Sequence, residues 1–312
     1  MPLREALRLA PAYHERVWGG QRLQPGPQPI GEAWLVHEAN SVVGGPHDGR
    51  TLAELAATEG EALLGRKPLA QGGARFPLLI KILDTRDWLS VQVHPDDEQA
   101  ARLEGPGQLG KTEAWHILAA DPGARLICGL RPGTTREALT AAIRDGTVAD
   151  LARYLDVAAG DTIFIAAGTM HALGPGLLLY EVQQTSDITY RVFDWNRPLA
   201  AGRKLHIEQS LAVTDPAISG EVQPRPTGQP GTPRPLVACS YFALAEIAGS
   251  ASLDTGGESF HALTSAQGTV TIAGDGWQQR LIPYESAVVP AACGPYTVTG
   301  DADARTLVSR VP

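Results

Sequence analysis

Three short stretches hold most of the side chains able to do chemistry: Leu89-Ser90-Val91-Gln92-Val93-His94-Pro95, Gly110-Lys111-Thr112-Glu113 and Gly168-Thr169-Met170-His171. Successive side chains of a β-strand point to opposite faces, so Ser90, Gln92 and His94 share one face, and Lys111 and Glu113 share another. Two such strands side by side aim an imidazole, an amide oxygen and a carboxylate at one point, and a third segment adds His171. This nitrogen and oxygen donor set suits zinc, with iron or manganese as second choices. None of the three cysteines lies in these segments, which favours a catalytic site partly open to water over a closed thiolate site. A single histidine in a β-rich chain is more often a surface or satisfied core residue. His14, His37, His47, His116, His206 and His261 are read that way, and alternation turns His116 away from Lys111 and Glu113.

The elements that must position these groups are mainly strands. Residues 11–45, rich in Gly, Pro and aromatics, suggest turns and short strands. Thr51 with Glu54 forms a capping box for a helix that Gly65 can end. Phe76–Leu83 reads as a buried strand whose one cation, Lys81, either reaches a pocket or snorkels from an edge. Pro95 with Asp96, Asp97 and Glu98 looks like the first turn of a helix, so Asp96 and Asp97 are read as capping and dipole-compensating acids rather than ligands. Thr134 with Glu137, and then Thr147 with Asp150, predict a helical insertion near 134–155. Strands resume at Val157, through Gly160–His171, Leu177–Gln183 and Thr189–Trp195, with Glu181 and Gln183 on one face. A helix near Leu205–Val213 closes this part.

The Pro- and Gly-rich stretch 216–235 reads as a linker, and 236–312 as a small all-β domain. The expected organisation is thus a catalytic domain over 1–215, a linker over 216–235 and a C-terminal domain over 236–312. The 312 residues are long enough for two domains, and 43% hydrophobic with 19% charged residues is ordinary globular composition. Lys and Arg number 26 against 34 Asp and Glu, a formal charge of −8, which argues against nucleic acid or an anionic membrane as partner. Three well-separated cysteines fit reduced thiols, and the opening residues lack a signal-like apolar run, so a cytoplasmic protein is expected, monomeric or weakly homo-oligomeric.

Gly160–His171 resembles the second motif of cupin barrels, with Ala166 where a proline is usual. In order, LSVQVHP, GKTEAWHIL, GTMHALG and TYRVFDWNR resemble the type I mannose-6-phosphate isomerases, in particular their short bacterial form. ERVWGG, GEAW and KLHIEQSL support this, and the resemblance covers residues from about 13 to 212. It implies a mainly β, cupin-type jelly-roll domain with helical insertions, followed by a second, smaller cupin-like β domain. It also implies one zinc ion held at Gln92, His94, Glu113 and His171. Arg191 matches the arginine regarded as catalytic, and Lys81, Lys111, Ser90 and Glu181 match active-site positions. Lys111 and Ser90 would hold a sugar phosphate, Lys111 would also serve catalysis as a cationic stabiliser beside Arg191, and Glu181, or a metal-bound water, is a candidate for the base that moves the proton. Met170 and Pro175 depart from the family pattern without removing a group that does chemistry.

The activity implied is interconversion of mannose 6-phosphate and fructose 6-phosphate. Moving a proton between adjacent carbons passes through an enediolate, which requires a base and fixed positive charge near the developing oxyanion. Arg191 is assigned to electrostatic stabilisation first, since a guanidinium gives up a proton poorly. Two other classes compete: a non-catalytic sugar-phosphate-binding or regulatory cupin, and an iron-dependent cupin oxygenase. Retention of the whole residue set argues against the first, and the paired lysines and arginine against the second.

Overall fold

The computed structural model describes residues 3–198, 203–224 and 231–312. Contacts gather them into two units, each assembled from non-consecutive segments. A central unit comprises His14–Glu32 and Leu83–Pro224, and a terminal unit Met1–Tyr13, Ala33–Ile82 and Arg225–Pro312. The single cut near 216–235 expected from composition follows the chain, whereas these contacts also group the N-terminal residues and Ala33–Ile82 with the C-terminal strands.

In the central unit one antiparallel sheet runs in the order Tyr190–Phe193, Val91–Val93, His171–Leu173, Arg125–Leu130 and Ala152–Asp156. Facing it, Val222–Gln223, Thr162–Ile165, Glu113–Ala120 and Leu177–Gln184 lie side by side. The two-residue period sorts the first sheet cleanly. Val91, Val93, Ala172, Tyr190 and Val192 face outward onto Leu139 and Ile143 of the helix Arg136–Asp145 and Val213 of the helix Ile207–Val213. Leu126, Cys128 and Leu173 face inward and pack with Trp115, Ile117, Ile163, Ile165, Leu177 and Leu179 of the opposite sheet. Gln92 alternates with the outward valines, and so faces the interior.

The helical insertion differs from expectation in three ways. Its N-cap is Thr135, whose hydroxyl accepts the Ala138 N–H at 3.2 Å; Thr134 instead donates to the Arg131 carbonyl at 2.7 Å. Thr147 and Asp150 form no capping box, because Val148–Leu151 is a single 3-10 turn without a side-chain cap. Residues Ala152–Asp156 are a strand against Arg125–Leu130, where ladder hydrogen bonds satisfy the backbone. Strand structure therefore resumes before Val157, and Leu155 is not helical.

In the terminal unit one sheet has the order Leu7–Arg8, Ser286–Val289, His261–Gln267, Arg305–Arg310, Ala243–Ala248 and Arg234–Ala238, and the other Ala251–Asp254, Pro295–Gly300, Val270–Gly274 and Trp277–Leu281. Ile247, Leu263, Ala287 and Val308 from the first meet Ile272, Leu281, Tyr296 and Val298 from the second. The Thr51–Glu54 capping box forms as expected. Its helix, however, stops at Gly60, where φ is 47°, and two short helices, Glu61–Leu64 and Arg66–Gly72, follow. Within the 216–235 stretch, Val222–Gln223 and the start of Arg234–Ala238 are strands, and 225–230 fall outside the described residues. Both units are facing antiparallel sheets, and the chain is mainly β with few helices, the cupin-type architecture that the motifs predict.

Candidate active site and metal centre

His94 follows the strand Val91–Val93, His171 opens the strand beside it, and Glu113 begins a strand of the opposite sheet. The two sheets thus aim the three side chains at one another, and their donor atoms lie within 4.8 Å of each other. Each carboxylate oxygen of Glu113 addresses a different imidazole, Oε2 at 3.6 Å from His94 Nε2 and Oε1 at 3.4 Å from His171 Nε2. All three residues are buried, none being more than 1% exposed.

The protons on the two imidazoles follow from their outer contacts. His94 Nδ1 is 2.9 Å from the Ile188 carbonyl oxygen and His171 Nδ1 is 2.8 Å from that of Thr169. A carbonyl only accepts, so each Nδ1 carries the hydrogen, and each Nε2 presents its lone pair on the Glu113 side, where Lys111 and Gln92 act as donors. This is the outer hydrogen bond that fixes metal-ligating histidines. Burial, with the Lys111 charge adding to it, pulls the His171 pKa down to about 3, so the ring is neutral. Two neutral imidazole nitrogens and a carboxylate converging on one point fit a divalent cation. Lys111 supplies the positive charge found among them, with Nζ 2.9 Å from His94 Nε2 and hydrogen-bonded to Glu113 Oε2. Gln92 pairs with His171 across the ladder and donates from Nε2 to His171 Nε2 at 3.2 Å.

The other expected residues of the central unit group around this centre to different degrees. Arg191 is the ladder partner of Gln92 on the side opposite His171. Its Nε donates to Ser90 Oγ at 3.3 Å and its Nη1 to the Lys204 carbonyl at 3.1 Å. Burial and the nearby Arg203 pull the guanidinium below its ordinary pKa. Glu181 lies opposite Trp115 in the ladder and accepts the indole N–H at 2.9 Å, while the same indole meets the His171 ring edge-on with centroids 5.4 Å apart. Lys81 belongs to the terminal unit, where its buried ammonium sits 5.3 Å from the Trp34 ring centroid.

Asp96 is the N-cap of the helix Asp97–Glu104, closing a capping box with Gln99. Asp97 accepts from the Gly110 N–H at 2.7 Å and from Gln184 Nε2 at 2.9 Å, which ties down the approach to Lys111. His116 faces away as expected, with Nδ1 2.9 Å from Thr162 Oγ1. Met170 packs in the apolar layer outside the first sheet. Three further residues support the centre. Trp115 shares the face of Glu113 by alternation alone, and that signal could have found it. His206, expected as a surface or satisfied core histidine, holds Arg191: its Nδ1 accepts the Arg191 N–H at 3.1 Å and its own N–H returns to the Arg191 carbonyl at 2.8 Å. Gln183, the ladder partner of Glu113, holds the turn carbonyls of Gln184 and Ser186.

A family model described as the catalytic domain of type I phosphomannose isomerase matches residues 6–111. The chain is 42% identical over 221 residues to a mannose-6-phosphate isomerase of Streptococcus mutans, covering 67% of each protein. It is 39% identical over 264 residues to the mannose-6-phosphate isomerase ManA of Bacillus subtilis, covering 80% of this chain and 82% of that protein. The crystal structure of a mannose 6-phosphate isomerase from Bacillus subtilis superposes with a TM-score of 0.86 at 30% identity, covering 98% of this chain and 99% of that one. With the cupin-type fold and the His–Glu–His cluster, these likenesses make the chain a member of the type I mannose-6-phosphate isomerase family.

Proposed function

We propose that this protein interconverts mannose 6-phosphate and fructose 6-phosphate with the help of one zinc ion. The observation that carries the reading is the pair of imidazoles locked by backbone carbonyls with both Nε2 lone pairs turned to Glu113. His94, Glu113 and His171 would hold the ion, with the Gln92 amide turned to present its oxygen as a weaker fourth ligand. When bound, zinc supplies Lewis-acid polarisation of the sugar oxygens without redox change.

The remaining work falls to side chains. Glu181, oriented by the Trp115 indole, is the group to carry the proton between the two sugar carbons. Arg191, held by its contacts to Ser90, His206 and Lys204, offers fixed positive charge to the enediolate oxygens. Lys111 and Ser90 hold the substrate or its phosphate, and Lys81 is assigned with them on the family resemblance. The dianionic phosphate explains why a chain of formal charge −8 keeps lysine and arginine at this site.

The test is a coupled assay for fructose 6-phosphate formed from mannose 6-phosphate, run on the purified protein, after chelation, and after zinc is restored. Activity should vanish with the metal and return with it. Zinc-loaded protein that turns over no mannose 6-phosphate would remove this substrate assignment.

A further inference from the structure

The terminal unit contains its own polar cavity, of about 300 Å³, whose lining includes Ser252, Asp254, Glu258, Ser259, His261 and Arg310. Ala262 pairs with Ser309 in the antiparallel ladder, so the flanking residues His261 and Arg310 stand opposite each other. His261 lies two residues from Leu263 and Arg310 two from Val308, and so each shares a strand face with a residue of the sandwich core. An imidazole and a guanidinium thus enter the end of an apolar interior together.

The hydrogen-bond inventory decides what they present there. His261 is 7% exposed and its Nδ1 lies 2.7 Å from the Tyr296 hydroxyl oxygen. Tyr296 is itself 3% exposed, and its hydroxyl makes no other hydrogen bond among the described residues. A buried O–H must donate, so it donates to Nδ1, which leaves the ring hydrogen on Nε2. Burial, with Arg310 nearby, keeps this imidazole neutral by pulling its pKa down to about 4. The centre in the other unit presents imidazole lone pairs and suits a cation; here the cavity-lining histidine carries an N–H and suits an acceptor.

Two further donors line the same space. Arg310 is half-buried and its guanidinium makes no hydrogen bond or ion pair among the described residues, although, after Lys67 and Arg66, its charge helps to hold the Glu258 carboxyl below its ordinary pKa. Glu258 is occupied by Arg66 at 2.7 Å and Lys67 at 2.9 Å. Ser259 Oγ accepts the Val311 N–H at 3.1 Å, so its own hydrogen remains to donate. Asp254 Oδ1 accepts the Gly256 N–H at 2.8 Å. Arg310 is the cation of the lining and Asp254 and Glu258 are its carboxylates, with the Glu258 charge offset from outside the cavity by Arg66 and Lys67.

We infer that this cavity is a binding site for a small oxyanion, the phosphate or carboxylate group of a metabolite, received by Arg310, the His261 Nε2–H and the Ser259 hydroxyl. Its volume is at the small end for ligand pockets, enough for one such group and a short carbon frame. Charge-assisted contact to an arginine fork is the strong part of such recognition.

The test uses the full chain labelled with 15N at histidine and titrated with inorganic phosphate, then separately with succinate. The His261 ring signal, identified by its loss in His261→Gln, should shift saturably with at least one probe, and the stronger probe assigns phosphate or carboxylate. Arg310→Gln should weaken that probe at least tenfold, and Arg310→Lys should recover part of the loss. Mannose 6-phosphate isomerase activity, measured in both variants, should be unchanged, which shows that they are folded. A His261 signal unmoved by both probes, or affinity unchanged in folded Arg310→Gln, overturns the site.

Discussion

Two backbone carbonyls, those of Ile188 and Thr169, decide what the metal centre can do, since they fix which nitrogen of each histidine presents its lone pair to the centre. The ion-holding and proton-moving groups are therefore separable by mutation. Glu113→Gln removes the charge that balances a bound cation and should abolish metal retention, read by elemental analysis. Arg191→Ala and Glu181→Gln should retain the metal while lowering kcat by roughly 10²–10³, the usual loss when one transition-state partner is removed. Loss of metal in either of these two would make that residue structural. Lys111 occupies a special position, since its ammonium shares Glu113 with the expected ion and must give way or reorient when the ion binds.

At the scale of elements, the site depends on how closely its loops approach. A Cβ added to Gly110 would lie 2.5 Å from the Asp96 carbonyl carbon and 2.6 Å from the Asp97 nitrogen, both backbone atoms that cannot step aside. Gly110→Ala should therefore displace Lys111 and lower kcat/KM by about 10–100-fold with metal content kept, because a shift on the order of 1 Å is enough to spoil positioning. Much of this architecture was legible, because a two-residue period is written directly into Gln92 and His94, and into Glu113 with its neighbours. The N-cap at Thr135 was not, since two adjacent threonines each have an acceptor three residues from a plausible donor, and only the entry angle of the chain selects one. Nor was the strand at Ala152–Asp156, whose apolar residues fit a helix equally well until a partner strand is supplied. The contacts of Trp115 and His206 were unreadable for a similar reason: alternation gives a face, but the partner on that face comes from another strand.

For the whole molecule, buried neutral histidines set the acid limit. His261 titrates at about 4 and His171 at about 3 when folded, against 6.5 for the ordinary side chain. Below pH 6.5 the unfolded chain binds more protons than the folded one at these rings, so their contribution is full above that value and erodes as pH falls towards about 3. Chelated protein should lose stability on the order of a few kcal/mol between pH 7 and pH 4.5, measured by urea denaturation; a flat profile would mean these rings are accessible to protons in the native state. At pH 7, zinc at a hundred times its Kd should add about 2.7 kcal/mol and raise the thermal midpoint. The strand Leu7–Arg8 has a different consequence. It borders Ser286–Val289, with Arg8 opposite Ala287, so during synthesis the first edge of that sheet leaves the ribosome some 280 residues before its neighbour. At about 5–20 residues per second this is a wait of roughly 14–56 s. Every segment of the central unit has been translated by Pro224, so the candidate catalytic sandwich can close while the terminal sheet still lacks most of its strands.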